Sequence, residues 1–507
     1  MGCPTVIAPP SSYSILESSQ VQMSVSASDM NSYILPYLLI WDPIHQFPAH
    51  FRGGLQCIHR DCDSYLTVKH WKCGQTNALQ PRVVHEISHT ILLVSVVYVC
   101  DNGHEVQSTD PGILQKLTVE EHVPFILLHR TGFTRDFIHS ILQLFVQGMH
   151  LQCIETFIAE RRLHLCTSKW ARLCDELQTF CSSSSPIPVP EITCQAFKLQ
   201  RLPTPSNDIL AKCFLVYFQQ FKHAYEEKMA SLTATKLISF DHTFKVASNI
   251  GYVRFDGRWV TQYGSVFFVM NEAGQVLTWQ LTCSTSLDEA QPVLDSLSMR
   301  FRNQGVTVPL VLVDNCCNVR NKIKKIFGEQ TRVGLDLFHA TQRISRTLSR
   351  FHPLYNDCVR DLKLILRDPK DIGRDRKLQT PSPSRLIANT EEFIRKWGSM
   401  ECSGKRIVND KFLKELNSLK IHMNRGCLSN IPPGGGTNRN EALHKTINPH
   451  FRQSRIGIAL AVALISILLY HHNSKTTGSS TPEPKYLLHP QMPKGKQSIH
   501  ACLQINS

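Results

Sequence analysis

The sequence predicts an α/β fold built on a mixed sheet. Three observations predict it. Strand-like alternation of apolar and polar residues opens the central part of the chain at 237–248. Two more strands are expected within 259–285, joined by a hairpin turn at Asn271–Gly274. Two apolar runs, VPLVLVDN at 308–315 and RVGLDLFH at 332–339, then predict buried strands.

Helical patterns separate the later strands. LDEAQPVLDSLSMRFRNQG at 287–305 is amphipathic and stops at Gly305, and NVRNKIKKIFG at 318–328 predicts a second helix. The order is therefore three strands, helix, strand, helix and strand, which is ribonuclease H-like. Residues 340–430 are helical in pattern and are expected to form an insertion in this core. Several enzyme superfamilies share such a layout, so the order alone does not decide function.

Composition indicates a folded, basic protein. A length of 507 residues allows about two to four domains. The 42% hydrophobic and 19% charged residues exclude a disordered chain and a coiled coil. Lysine and arginine number 55 against 41 acidic residues, a formal net charge of +14, which favours nucleic acid first and an anionic membrane second. A basic protein without a polyanionic partner is the alternative.

Five segments are expected along the chain. They are a disordered N-terminal segment (1–45), a small zinc-ribbon-like β module (46–118), a helical segment (119–235), the α/β core (236–473) and a disordered tail (474–507). The N-terminus has no basic stretch followed by an apolar run, so a secretory signal is not expected. Most of the 18 cysteines should then stay reduced.

One apolar run closes the core. It extends from Ile456 to Tyr470 and ends at His471. A helix that spans a membrane needs about 20 residues, so a buried core helix is predicted, with a membrane anchor as the alternative.

Three acidic residues fall where the predicted sheet could bind divalent metal. Asp241 lies on the first strand, and Asp314 ends the strand expected beside it. Glu441 lies in the first turn of a helix in GGGTNRNEALHKTIN, with His444 and Lys445 on its face. Carboxylate oxygens suit Mg²⁺, and two ions about 3.5–4 Å apart can serve phosphodiester chemistry. The alternative is that each acid is a strand-end, turn or helix-start residue.

These residues resemble the motifs of eukaryotic cut-and-paste DDE transposases, especially the Mutator-like and related groups. Such enzymes pair an aspartate on the first strand with one after the fourth, and their catalytic glutamate comes last, on a helix. The matching positions, within about 237–470, are SFDHTFK with Asp241, LVDN with Asp314, LDLFHA with Asp336 and His339, and TNRNEALH with Glu441. The pair Cys316–Cys317 departs from the usual polar or small residues after the second aspartate.

The resemblance implies hydrolysis of a phosphodiester at an element's end, followed by attack of the freed 3′-hydroxyl on target DNA. Asp241 and Glu441 would hold one Mg²⁺ or Mn²⁺, Asp314 would bridge two ions, and Asp336 and His339 would support them. It also implies double-stranded DNA as partner, a homo-oligomer, a nuclear location and no small-molecule cofactor. DHTFKVASNIG is similar to transposase-derived proteins as well, so an inactive DNA-binding protein is an alternative. A simple nuclease of the same fold is another.

The cysteine-rich module predicts a structural zinc site. Cys57-x4-Cys62 and Cys100-x3-His104 are separated by a strand-like stretch, and a hairpin would bring four soft ligands together. Cys73 is a possible substitute ligand. Scattered reduced cysteines are the alternative.

Two regions carry candidate DNA-binding residues. Residues 134–165 contain two apolar-periodic helices broken at Gly148, with Arg161 and Arg162 in the second, which fits a helix-turn-helix or an ordinary helical hairpin. The basic cluster after Asp314 could contact phosphates, or form a solvated helix face. It contributes Lys322, Lys324 and Lys325.

Overall fold

The computed structural model of the chain is a mixed α/β protein with several sheets. It describes residues 5–7, 36–48, 51, 53–71, 81–117, 125–128, 131–181, 204–366, 379–402, 404–432, 438–452 and 455–476. Cys73, the glycines at 434–436, the tail beyond 476 and most of the N-terminal segment lie outside these residues. The described chain divides into two compact units, and the division falls at Gln220, inside a helix. The sequence pattern had placed it near residue 235.

The first unit is built on nine strands. In chain order, β1 to β9 are Thr5–Ile7, Tyr37–Trp41, Leu55–Gln56, Tyr65–Trp71, Arg82–His85, Thr90–Cys100, Glu105–Gln107, Phe125–Leu127 and Thr131–Thr134. The sheet has the order β1-β2-β6-β5-β9-β8, while β4 and β7 also pair with β6, and β3 pairs with β4.

The strand β6 organises this unit. Its first half, 91–95, lies between β2 on one side and β5 on the other. Its second half, 96–100, lies between β4 and β7. The sequence TILLVSVVYVC is rich in β-branched residues, which favour a strand buried on both faces.

Two parts of this sheet come from segments that were expected to be something else. Tyr37–Trp41 was placed in the disordered N-terminal segment, but it pairs with β6 in parallel. Thr131–Thr134 was placed in the helical segment, but it pairs with β5 in parallel. Both strands are only a few residues long, so their alternation is too short to distinguish them in the sequence.

The helices of the first unit lie between and after its strands, and the last of them, α5, contains the division at Gln220. In chain order, α1 to α5 are Pro43–Gln46, Pro111–Leu114, Arg135–Val146, Leu151–Cys181 and Asn207–Ala230. Thr134 caps α3 by accepting a hydrogen bond from the Phe137 backbone amide at 3.0 Å. Gly148, with φ of +107°, follows the end of α3, where the sequence placed the break between two helices.

The second unit contains the predicted mixed sheet. Its strands, β10 to β19, are Ile238–Thr243, Ile250–Val253, Trp259–Thr261, Ser265–Asn271, Val276–Thr282, Leu310–Val313, Arg332–Leu335, Glu401–Cys402, Lys405–Arg406 and Ile456–Gly457. The five-stranded sheet has the order β14-β13-β10-β15-β16. Neighbours are antiparallel from β14 to β10 and parallel from β10 to β16. All residues of β13 and β15 are buried.

Eight helices complete the described part of this unit. In chain order, α6 to α13 are Leu287–Asn303, Cys316–Phe327, Leu337–Ser345, Tyr355–Leu364, Pro383–Trp397, Asp410–Asn424, Asn438–Ile447 and Ile458–Thr476. Helices α8 to α11 lie in the interval 337–424, where the sequence predicted a helical insertion. Their buried faces belong to the same hydrophobic core as the sheet.

The strand predicted over 332–339 is shorter than expected. It ends at Leu335, and α8 begins at Leu337. Asp336 ends the strand because its carboxylate accepts a hydrogen bond from the His339 backbone amide at 2.8 Å and so caps the new helix.

The closing apolar helix is α13. Among the described residues it is the one helix long and apolar enough to cross a membrane, a test that core helices also pass. Most of its apolar side chains are buried within the second unit. Its buried Asn473 accepts a hydrogen bond from the Val276 backbone amide at 2.7 Å and donates one to the Val276 carbonyl at 3.0 Å. This amide therefore pairs both backbone groups at the start of β14.

We expect Asn473→Leu to destabilise the protein by about 2–4 kcal/mol, because two buried backbone groups lose their partners at about 1–3 kcal/mol each. Urea unfolding monitored by circular dichroism measures this loss. The exposed Lys475→Leu is the control and should change stability by less than about 0.5 kcal/mol. Equal stability of the two variants would contradict the role of Asn473.

Candidate active site

Asp241 and Asp314 come together through the parallel pairing of two strands. Ser239 of β10 is opposite Leu312 of β15. Continuing this register by two residues places Asp241 opposite Asp314, which directly follows β15. Asp241 is buried and Asp314 is half-buried.

His339 reaches the same place from α8, the helix that follows the next strand of the sheet, β16. Its position depends on Asp336, which caps α8 and whose amide donates to the Val313 carbonyl at 3.1 Å. The His339 Nε2 atom lies 3.4 Å from Asp314 Oδ1 and 3.9 Å from Asp241 Oδ2. Asp336 itself is fully buried and supports this arrangement as the helix cap.

Glu441 and His444 approach Asp241 from α12. Asn440 of this helix lies against β10, with its Oδ1 atom 3.4 Å from the Ser239 hydroxyl that donates to it. His444 is buried beside the Phe268 ring of β13, and its Nδ1 atom lies 3.9 Å from Asp241 Oδ2. Glu441 and His444 are three residues apart on α12, about one turn, so both side chains face the sheet.

The result is two groups of possible metal ligands that share Asp241. Asp314 and His339 complete one group, and Glu441 and His444 complete the other. Within each group the ligand atoms all lie within 4.8 Å of one another. Within these two groups, three buried atoms that lie beside one another have no hydrogen-bond partner, and they are Asp241 Oδ2, Asp314 Oδ1 and His339 Nε2. Because unpaired buried polar atoms are costly, these three atoms fit a site for a divalent cation.

The crowding of carboxylates changes the pKa values of the site. Burial raises the pKa of Asp314 to about 6, and the charges of Asp241 and Asp336 add to this effect. Burial alone would lower the pKa of His339, but the three neighbouring carboxylates raise it above its ordinary value. The pKa of His444 is lowered, mainly by burial. The same carboxylates therefore favour the protonated form of His339 in the metal-free protein.

In the first unit, the structure brings together Cys57, Cys62, Cys100 and His104. Cys57 and Cys62 lie between β3 and β4, Cys100 is the last residue of β6, and His104 lies between β6 and β7. The Cys62 and Cys100 sulfurs are 3.8 Å apart, and His104 Nδ1 is 3.7 Å from Cys57 and 3.4 Å from Cys100. A tetrahedral zinc site has S···S distances of about 3.8 Å and S···N distances of about 3.5 Å, from its bond lengths. This cluster could therefore bind a metal such as zinc.

The five residues expected to contact DNA do not all lie at the surface. Arg161 and Lys325 are exposed. Lys322 forms an ion pair with Asp288 at 2.6 Å, and Lys324 forms one with Glu329 at 3.4 Å. Such surface ion pairs are weak, so either lysine could leave its partner for a phosphate.

Arg162 is a correction to the sequence-based expectation. It is buried, and its guanidinium donates to the carbonyls of Glu86, Ile87 and His89 and to the Thr90 hydroxyl. It stabilises the turn before β6 and does not reach a phosphate.

Sequence reasoning missed two features of these sites. His444 was placed on the same helix face as Glu441 but was not proposed as a metal ligand. A second cysteine cluster joins Cys316, Cys317, His422 and Cys427, and its members are too far apart in the chain for a spacing motif. No protein-family model matches the chain, and no curated protein matches its sequence.

We expect Arg162→Met to lower the free energy of unfolding by about 3 kcal/mol, since hydrogen bonds to a charged group contribute about 1.5–3 kcal/mol each. Arg161→Ala should change stability by less than about 0.5 kcal/mol. Chemical denaturation of both variants tests this difference. A loss of DNA affinity in a fully stable Arg162→Met would restore the original expectation.

The raised pKa of Asp314 predicts a pH-dependent cost in the metal-free protein. An unfolded aspartate has a pKa of about 3.9. Since the folded pKa is higher, stability should fall as the pH rises from about 4 to about 6 and stay lower above that. Asp314→Asn should therefore melt at a higher temperature than the parent at pH 7.5 and at the same temperature at pH 4.

Thermal unfolding without added divalent metal measures this effect. A chelator must be left out, because it would also remove any metal that the cysteine clusters hold. Added Mn²⁺ should then stabilise the parent more than the variant. A variant that melts below the parent at pH 7.5 would show that the Asp314 carboxylate is stabilising.

Proposed function

We propose that this protein is a metal-dependent phosphodiesterase that acts on DNA in the manner of DDE transposases. The observation that carries the proposal is the shared position of Asp241 between Asp314 and His339 on one side and Glu441 and His444 on the other. Asp241 of β10 lies in one group with Asp314, which follows β15, and in the other with Glu441 of α12. Two groups that share one acid are what a pair of adjacent cations requires.

The sheet order supports a ribonuclease H-like core. The first three strands of the order are antiparallel, and the last two run parallel to β10. The acids lie on the first strand, after the fourth, and on a helix beyond the helical insertion, as the resemblance to DDE transposases implies. The functional argument rests on the site, because fold alone does not determine function.

The donors suit Mg²⁺ or Mn²⁺. Asp241 and Glu441 would hold one ion, with Asp314 completing the second position. His339 and His444 add imidazole nitrogens, which Mn²⁺ accepts more readily than Mg²⁺. A divalent pair supplies activation of the attacking oxygen and stabilisation of the leaving oxygen. The chain's own contribution is to hold the carboxylates and the two imidazoles in position around Asp241.

The other expected partners follow from the same proposal. The net charge of +14 supports a polyanionic substrate such as double-stranded DNA. A structural zinc ion at Cys57, Cys62, Cys100 and His104 would stabilise the ribbon-like part of the first unit. A nuclear location and a homo-oligomer are consistent with action on chromosomal DNA.

Nicking of supercoiled plasmid by the purified chain tests the proposal. With Mn²⁺ or Mg²⁺ the parent should convert supercoiled DNA to the open circle. Asp241→Asn and Glu441→Gln should each lose at least about 100-fold in rate, because each removes a charge that would hold the cations. Because burial raises the pKa of Asp314, protons compete with the cations for this carboxylate, so the metal concentration needed for half-maximal nicking should rise as the pH falls toward about 6.

Asp295→Asn and Glu391→Gln are the matched controls, since they remove exposed carboxylates from the same unit. Both controls should nick at the parental rate. Nicking by all variants alike would place the activity elsewhere or in a contaminant. An inert parent that still binds DNA would favour a DNA-binding protein without catalytic activity.

A further inference from the structure

A second cluster of soft ligands lies next to the candidate active site. The sulfurs of Cys316 and Cys317 are 3.9 Å apart, and those of Cys317 and Cys427 are also 3.9 Å apart. His422 Nδ1 lies 3.6 Å from Cys316 and 3.5 Å from Cys317. These distances match the edges of a tetrahedral zinc site, about 3.8 Å between sulfurs and about 3.5 Å from sulfur to nitrogen.

The cluster joins two parts of the chain that are more than a hundred residues apart. Cys316 and Cys317 are the first residues of α7. His422 lies in the last turn of α11, and Cys427 follows this helix. The Cys427 amide donates to the His422 carbonyl at 2.9 Å, after Gly426 with φ of +71°, so the turn itself holds the two ligands close together.

The surroundings of the cluster suit thiolates. The N-terminus of a helix stabilises negative charge on Cys316 and Cys317. The Arg320 guanidinium donates to the Cys427 sulfur at 3.0 Å. Three thiolates and one imidazole around Zn²⁺ carry a net charge of −1, which this arginine would offset.

Neither a disulfide nor a set of unrelated buried thiols accounts for the geometry. Sulfurs 3.9 Å apart are far from the bonded distance of about 2.0 Å, and these cysteines are unpaired in the structure. A buried cysteine that serves only packing needs no histidine nitrogen directed at it. Here one imidazole nitrogen lies near two sulfurs at once.

We propose that Cys316, Cys317, His422 and Cys427 bind a structural zinc ion. The ion would link His422 and Cys427, at the end of the helical insertion, to the start of α7 directly after β15. That turn carries Asp314, two residues before the first ligand. The Cys427 carbonyl also accepts from the Leu335 amide at 2.8 Å, so the same ligand supports the end of β16 just before Asp336.

Zinc content of the full chain, measured by elemental analysis and native mass spectrometry, tests the proposal. The parent should contain two zinc ions per chain, one in this cluster and one in the cluster of Cys57. Because that count rests on the zinc site proposed above, each cluster needs its own variant. Cys62→Ser should leave one ion, His422→Asn should leave one, and the double variant should leave none.

The controls separate loss of a ligand from loss of the fold. Cys283→Ser removes an exposed thiol outside both clusters and should retain two ions. Cys427→His replaces a sulfur ligand with a nitrogen ligand and should also retain two zinc ions. In Cys62→Ser loaded with Co²⁺, thiolate-to-metal charge-transfer absorption should persist, because the three sulfur ligands of the cluster of Cys316 are unchanged.

Two results would overturn the assignment. The first is that the parent contains a single zinc ion and that Cys62→Ser contains none. This result does not depend on whether a variant of the second cluster folds. The other is a folded His422→Asn that still holds two ions. A zinc count unchanged by Cys62→Ser but lowered by His422→Asn would instead overturn the zinc site of the first unit and leave this one intact.

Discussion

The burial of a carboxylate at Asp241 is the constraint on which the candidate site of the second unit depends. Asp241 has only 6% of its side chain exposed, and it belongs to one group with Asp314 and His339 and to another with Glu441 and His444. Without a metal ion, the burial of this acid beside other acids costs free energy, which the surrounding structure must offset. The fold must therefore supply a rigid frame, because the buried acids of the site lower the free energy of unfolding of the metal-free protein.

That frame is built from backbone pairing more than from side-chain contacts. The parallel register of β10 and β15 fixes the two aspartates opposite each other. Asp336 then converts the end of β16 into a helix start, and its capping bond directs His339 over them. The strand register is a matter of main-chain hydrogen bonds, so Asp241 and Asp314 can be replaced without changing it. The position of His339 depends in addition on the Asp336 side chain, which cannot be replaced without loss of the helix cap.

Much of the second unit could be predicted from the sequence, since its signals are local. Alternation and apolar runs predicted the strands, and acids at strand ends predicted the place where Asp241 and Asp314 meet. The extent of the last strand could not be predicted, because LDLFHA is equally apolar on either side of Asp336 and only the side-chain cap ends the strand. The clustering of Cys317 with Cys427 was also out of reach, since no local pattern links residues so far apart.

The first unit was harder to predict for a similar reason. Short parallel strands have no turn between them that would mark their pairing, and the burial of Arg162 depends on carbonyls some seventy residues away.

The long strand β6 has a consequence for how the first unit opens. Its two halves belong to different pairings, one with β2 and β5 and the other with β4 and β7. The cysteine cluster lies at the end of the second half, at Cys100. Since one continuous strand serves both, a metal ion bound at that end would also restrict the opening of the other half. Slower hydrogen exchange at residues 91–94 after addition of zinc would then show that the cluster of Cys57 takes up metal.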